Sequence, residues 1–183
     1  MPPDLYLMRH GESEWNAEGR LQGRLDSPLT ARGRAQAQHL AGLVAGAGAL
    51  RISSPQGRAL QTAGIVFGDA GFTTDDRLCE IDIGPFAGQR AEDLRAAHPD
   101  LFAPPRLGWY DRIPGAEGYA GLAARCRAFL NSLDGPAVIV THGITLRMLR
   151  LLAMGRGMAE FEDLPVEQGG VHVIRGGRHE VWR

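Results

Sequence analysis

Two histidines of this 183-residue chain stand in the same local setting. The stretches "LYLMRHG" and "AVIVTHG" each run through apolar residues and break at a histidine followed by glycine, at His10–Gly11 and His142–Gly143. A short apolar run of this kind reads as a buried strand, and the ligand crevice of an open parallel sheet lies beyond the carboxyl ends of its strands. Two neighbouring strands would bring His10 and His142 together there. Arg9 precedes the first histidine, and Arg58 falls in or near the first turn of a predicted helix, where backbone amides and the helix dipole also favour anions. Two guanidiniums and two imidazoles describe a phosphate pocket. Each arginine can bind phosphate oxygens bidentately, and a transferring phosphoryl group needs mainly positioning and charge neutralisation.

The chemistry then needs a nucleophile and a proton donor. A neutral imidazole can attack phosphorus through one nitrogen if the other keeps its proton on a fixed acceptor, and His10 is assigned that part. The leaving alkoxide needs a proton from a group still protonated near neutral pH, which a carboxylic acid can be only in a desolvated or anion-rich pocket. Glu80, in the glycine-rich loop "DDRLCEIDIGPFAGQ", is the candidate. All 20 basic residues are arginine, so a lysine-dependent phosphate loop and a lysine Schiff base are excluded. The cysteines Cys79 and Cys126 form no close pair and read as buried, reduced core residues.

The elements that must position these groups follow from periodicity and caps. Leu5 to Met8 reads as a buried strand. A helix follows with Thr30 at its N-cap, Ala37, Leu40, Ala41 and Val44 on one face, and Gly46 and Gly48 ending it. "ALRISS" reads as a second strand, and a second helix begins with Ser54 at the N-cap and Pro55 at its first position. A weaker strand is expected at Phe72 to Thr74, helices at Ala91 to Ala97 and Leu122 to Leu133, and a strand at Ala137 to Val140 leading into another helix. The end of the chain alternates as a hairpin about Gly176 and Gly177. Strands alternating with helices predict an α/β domain with a mostly parallel central sheet between two helical layers, spanning 1–183 as one unit. The proline-rich segment 99–117 is the candidate lid.

With 20 basic against 21 acidic residues, the chain has no global field for nucleic acid or a membrane surface. No stretch offers the apolar length of a transmembrane helix, and the N-terminus lacks a secretory pattern, so a cytoplasmic location is expected.

The ordered motifs "RHGESEWN", "LQGRLDSPLT" with "GRAQA", "ISSPQGRALQTA", "DRLCEIDIG" and "VTHG" resemble the histidine phosphatases, or phosphoglycerate-mutase-like superfamily. The resemblance runs from Leu7 to about Leu149. It implies the phosphoglycerate-mutase-like fold, phosphohistidine formation at His10, phosphate binding by Arg9, Arg58 and His142, and acid/base work by Glu80. It places Asn16, Gln22, Gly23 and Gly143 beside the phosphate or substrate. It implies a small phosphomonoester as ligand, with no metal and no organic cofactor. The chain departs from the family pattern at Phe86 and Ala87, where tryptophan and glutamate are frequent, and at Gly118, where serine commonly follows the glutamate. Phosphatase and mutase both proceed through phosphohistidine; mutases of the family carry a longer insertion before the second histidine, and the short segment here favours a phosphatase. A silent phospho-ligand binder is the alternative from another class.

Plainer readings stand beside these. Asn16 could stabilise a turn and Gln22 could lie at the surface. Arg20 and Arg24 read as solvated, and Arg106, Trp109, Tyr110 and Arg112 as residues packing the lid onto the body rather than touching substrate. His39, His98, His172 and His179 read as structural or surface histidines.

Overall fold

The computed structural model describes residues 3–47 and 49–183, and the expected helix stop at Gly48 lies outside them. Among the described residues, six strands form one mixed sheet in the order β3-β2-β4-β1-β5-β6. They are β1 (Leu5–Arg9), β2 (Leu50–Ser53), β3 (Thr73–Thr74), β4 (Ala137–Thr141), β5 (Val171–Arg175) and β6 (Arg178–Trp182). β3, β2, β4 and β1 run parallel, while the terminal hairpin β5–β6 adds antiparallel beside β1. The helices are α1 (Glu14–Ala17), α2 (Ala31–Leu43), α3 (Gly57–Phe67), α4 (Ala91–Ala97), α5 (Gly118–Asn131) and α6 (Gly143–Ala153). Among the described residues no helix is long and apolar enough to cross a membrane.

Alternation along the central strands decides the layers, because successive side chains of a strand point to opposite faces. Leu5, Leu7, Ala137, Ile139 and Ile174 pack with α5, α6 and the segment before α5. Tyr6, Met8, Val138, Val140, Val171 and Val173 pack with α2 and α3 on the other face. Full burial of each large aliphatic side chain contributes about 1.5–3 kcal/mol, and β1 and β4 carry one on both faces. The result is the three-layer α/β/α architecture that the pattern predicts.

Several boundaries move for identifiable reasons. β1 continues to Arg9 because Arg9 still pairs with Thr141 of β4. The helix expected from Pro55 begins only at Gly57, with Gln56 as its N-cap residue. Ser54 is held extended by its N–H donating to the Val140 carbonyl at 2.9 Å, which prolongs the sheet. The cap comes instead from a distant residue: the Arg58 N–H donates to the Asp26 carboxylate at 3.1 Å. α5 starts four residues earlier than Leu122, with the Tyr119 N–H donating to Asp111. Cys79 and Cys126 are free and buried. His172 is fully buried, its Nδ1 accepting from Arg150 Nη1 at 2.9 Å, and its ring is stacked with that of His179. Burial and the Arg150 guanidinium, with His179, Arg183 and Arg147, push the His172 imidazole down to about 3.

One close approach sets the loop after β1 against the helical layer. A Cβ on Gly33 of α2 would stand 2.0 Å from the Glu12 carbonyl oxygen, and one on Gly11 would stand 2.2 Å from the Gly33 carbonyl oxygen. The loop is further tied down by Gly11 N–H donating to Thr62 Oγ1 and Glu12 N–H donating to Gln36 Oε1. Gly33→Ala forces backbone against backbone and is expected to destabilise the protein by about 1–3 kcal/mol. Gly42→Ala on the same helix has open space around the new methyl group and is expected to stabilise by about 0.4–1 kcal/mol. Urea unfolding midpoints of the two variants check the contrast; equal effects would remove the packing explanation.

Candidate functional site

β1 and β4 lie side by side and parallel, with Arg9 opposite Thr141. The ladder extends one residue further, as His10 N–H donates to the Thr141 carbonyl at 2.9 Å. His10 and His142 therefore leave adjacent strands at the same level, and their ring centroids are 5.2 Å apart. His10 Nδ1 lies 2.7 Å from the Gly11 carbonyl oxygen. A carbonyl can only accept, so Nδ1 carries the proton and Nε2 keeps its lone pair. Burial, then the charges of Arg58 and Arg9, hold the imidazole well below its usual range, so it is neutral at pH 7.

Arg58 is the second residue of α3, and its guanidinium makes four hydrogen bonds within the protein. Nε donates to His10 Nε2 at 3.2 Å, Nη1 to the Leu25 carbonyl and Asp26, and Nη2 to the Gly23 carbonyl. Asp26 thus orients the side chain and caps the helix with one carboxylate. Gly23 sits at φ +50°, and a Cβ there would stand 2.6 Å from Ile83 Cγ1, so the tight loop that presents its carbonyl needs glycine. Arg9 Nη1 donates to the Val166 carbonyl at 3.3 Å. Arg9 Nε and His142 Nδ1 are buried without a hydrogen-bond partner among the described residues.

Glu80 lies at the first turn of α6. Its Oε2 accepts from Ile144 N–H at 3.1 Å, and its Oε1 accepts from Thr145 N–H and hydroxyl and from Ile81 N–H. Anions are favoured there because the first amides of a helix lack intrahelical acceptors. Gly143 borders both Arg9 and Glu80, since a Cβ on it would lie 3.6 Å from Arg9 Nε and 3.8 Å from Glu80 Oε2.

A cavity of about 110 Å³ is lined by Arg9, His10, Asn16, Gln22, Gly23, Arg58 and Glu80, with Arg20, Leu21, Ile81, Ile83 and Tyr110 completing its walls. The structure so gathers most of the residues singled out from sequence; His142 and Gly143 do not line this cavity but adjoin lining residues, His142 beside His10 and Gly143 beside Arg9 and Glu80. Asn16 serves a turn as well: its Oδ1 accepts from Ser13 N–H in a capping box and from Gln168 Nε2. Gln22 is buried, not superficial, donating to Ser13 Oγ and accepting from Ser27 Oγ.

The lid residues divide. Tyr110 packs against the core as expected and also reaches the cavity wall, and Arg20 lines that wall while its side chain stays part-exposed beside Glu18. Burial and the nearby Glu80 carboxylate push the Tyr110 phenol up. Trp109 packs in the core, while Arg106 and Arg112 donate to the Glu162 and Ala103 carbonyls. Arg24 stands 3.7 Å from Glu117, which Arg125 holds more closely. A larger groove of about 490 Å³ is lined by lid residues such as Leu107 and Asp111 together with Met158 and Phe161, and neither histidine borders it. Among the described residues, no group of three or more His, Cys, Asp or Glu is placed to hold a metal ion.

Sequence reasoning missed Asp26 and Gln56, because their partners are remote along the chain. The buried Gln56 joins two site loops: Oε1 accepts from Glu80 N–H at 2.6 Å and Nε2 donates to the Gly23 carbonyl at 3.0 Å. Its only signal is a long polar side chain between a strand end and a helix start.

The model of the histidine phosphatase superfamily (branch 1) matches residues 5–182. The protein named "Probable phosphoglycerate mutase GpmB" of Proteus mirabilis is 39% identical over 160 residues, covering 82% of this chain and 74% of that protein. Among solved structures, mycobacterial glucosyl-3-phosphoglycerate phosphatase, in complex with VO3, superposes with a TM-score of 0.86 at 28% identity, covering 98% of each chain. The α-ribazole phosphatase of Shigella flexneri gives 0.83 at 27% identity, covering 98% of this chain and 94% of that one.

Gln56→Leu keeps the volume but strands the Glu80 N–H and the Gly23 carbonyl. A buried polar group without its partner costs about 1–3 kcal/mol, and the variant is expected to lose that much stability by urea denaturation. An unchanged midpoint would show that Gln56 does not brace the loops.

Proposed function

The chain belongs to the histidine phosphatase superfamily, and from that premise we propose that it is a metal-independent phosphomonoesterase acting on a small phosphorylated metabolite through a phosphohistidine at His10. The observation that carries this reading is the state of His10: buried, neutral, with Nδ1–H clamped on the Gly11 carbonyl and the Nε2 lone pair beside Arg58 Nε.

In the first step His10 Nε2 attacks phosphorus in line, an Nε2–P bond forms and the ester P–O bond breaks. The electron pair of that bond leaves on the alkoxide oxygen, which takes the proton of Glu80. Nδ1–H stays on Gly11 throughout, so the ring bears positive charge as the bond forms, beside the oxygens of the phosphoryl group. Arg9, Arg58 and His142 hold those oxygens. The donor Arg9 Nε, without a partner among the described residues, supports this assignment, since a phosphoryl oxygen would satisfy it. In the second step Glu80, now a carboxylate, removes a proton from water as the water oxygen attacks phosphorus; the Nε2–P bond breaks and phosphate departs.

Leu21, Ile81, Ile83, Tyr110, Arg20 and Asn16 face the alcohol half of the substrate, with Tyr110 as the contact of lid segment 99–117. Gln22, Gly23 and Gly143 shape the phosphate end. The second reading is a phosphoglycerate-type mutase, favoured by the name of the Proteus mirabilis relative. The short segment between Glu80 and His142 and the near-complete superposition on phosphatases support hydrolysis over transfer. A mutase would move phosphate between positions with little release.

Phosphate release from a panel of phosphomonoesters that includes 3-phosphoglycerate is expected to survive excess EDTA and to vanish in His10→Ala. Near wild-type turnover by that variant would overturn the mechanism, and positional transfer without release would identify the mutase. Glu80→Gln is expected to lose about 10²- to 10⁴-fold in kcat with alkyl phosphates, and much less with 4-nitrophenyl phosphate, whose leaving group needs no proton. An equal loss on both substrates would remove Glu80 from the acid role.

A further inference from the structure

His142 is fully buried and caps α6 without using its side chain for that purpose. Among the described residues its ring has one hydrogen-bond partner: Nε2 stands 2.7 Å from Ser54 Oγ, while Nδ1 has none. Which nitrogen carries the proton decides whether the ring can donate a hydrogen bond from Nδ1. Ser54 answers this. Its hydroxyl is inaccessible to solvent, and among the described residues it has two partners, the Gln56 N–H, which donates to it at 3.3 Å, and His142 Nε2. A buried hydroxyl hydrogen needs an acceptor. The amide of Gln56 can only donate, so the sole acceptor within reach is the Nε2 lone pair.

We propose that Ser54 is a positioning residue that donates its hydroxyl hydrogen to His142 Nε2 and thereby holds His142 as the Nδ1–H tautomer, a neutral hydrogen-bond donor to phosphoryl oxygens. The proposal rests on the phosphoryl-transfer reading of the site and extends it to a residue outside the four-residue pocket.

The placement of Ser54 follows from the fold. The Ser54 N–H continues the β2–β4 ladder to the Val140 carbonyl, two residues before His142. The chain then turns at Pro55 into α3, and the Gln56 amide closes a serine turn on the hydroxyl. Backbone bonds on both sides therefore fix the hydroxyl beside the imidazole before any ligand arrives. The alternative tautomer would set Nε2–H against a hydroxyl with no other acceptor and would leave a bare lone pair at Nδ1, facing an anion. Burial, Arg58 and His10 hold His142 well below its usual range, so it is neutral and the choice is between these two tautomers. Neutrality also matters to His10, which would meet a second positive charge if His142 were an imidazolium.

The test is nitrogen NMR of the intact protein with ¹⁵N-labelled histidine, together with a mutant cycle. In the wild type the His142 Nδ1 resonance should be of the protonated kind and Nε2 of the unprotonated kind, with the Nδ1 proton shifting as inorganic phosphate is added. In Ser54→Ala the two tautomers should mix, and kcat/KM should fall by about 10- to 100-fold, the range found when the partner that orients a metal-bound histidine is removed. Ser54→Thr, which keeps a hydroxyl, should retain the wild-type tautomer. In a His142→Ala background Ser54→Ala should cost less than about twofold, because residues acting through one another are not additive. A wild-type proton on Nε2, or an equal loss from Ser54→Ala in both backgrounds, would overturn the proposal. Should the wild type form no phosphohistidine with any phosphomonoester, the phosphatase reading fails, while the wild-type nitrogen spectrum still decides the tautomer.

Discussion

The site depends on the parallel pairing of β1 with β4. Parallel strands in register deliver equivalent positions at the same height, so two chain segments far apart in sequence leave the sheet together. The bond from His10 N–H to the Thr141 carbonyl carries this register one residue past β1. Both strands are apolar on both faces and are covered by helices, so a slip of one would expose buried side chains or misplace them. Core packing thus sets the spacing of two imidazoles.

Around that pair, the first turns of two helices are held by side chains from elsewhere. Asp26 occupies the start of α3 and orients Arg58; Glu80 occupies the start of α6 and accepts from its first amides. Helix termini offer donors that need acceptors, and the fold satisfies them with carboxylates that also shape the pocket. Gln56 then couples the Gly23 loop to the Glu80 loop, and Ser54 couples the end of β2 to His142. Local stability and site geometry are met by the same bonds. The nitrogen atoms left over, Arg9 Nε and His142 Nδ1, sit at the end of β1 and just past the end of β4.

Charge balance adds a second constraint. Arg9 and Arg58 lie close enough to His10 to lower its proton affinity, and burial strengthens their effect. A neutral imidazole is the state able to attack phosphorus, so the cations that would hold a phosphoryl group also keep its acceptor reactive. Asp26, engaged with Arg58 and 35% exposed at its side chain, offsets part of that charge without touching His10.

Most of this was legible from local pattern. Apolar runs ending in His–Gly, the Thr30 cap and the alternation of strands with helices locate β1, β4, α2 and the layered fold, because hydrophobic periodicity is a local property of the chain. The motif order marks Arg9, His10, Arg58, Glu80 and His142. What local pattern could not show are bonds between remote residues: Asp26 capping α3 in place of Ser54, Gln56 bridging two loops, Tyr110 and Arg20 reaching the pocket, and His172 buried against Arg150. The start of α3 illustrates the reason. Ser54 and Pro55 have the residue types of a helix start, and an isolated segment would use them so; in the fold, the β4 ladder and His142 claim the Ser54 amide and hydroxyl. The sequence by itself determined which groups are available and which segments bury them. Only the tertiary structure decided which donor meets which acceptor, because each polar group has several suitors along the chain and packing leaves one within reach.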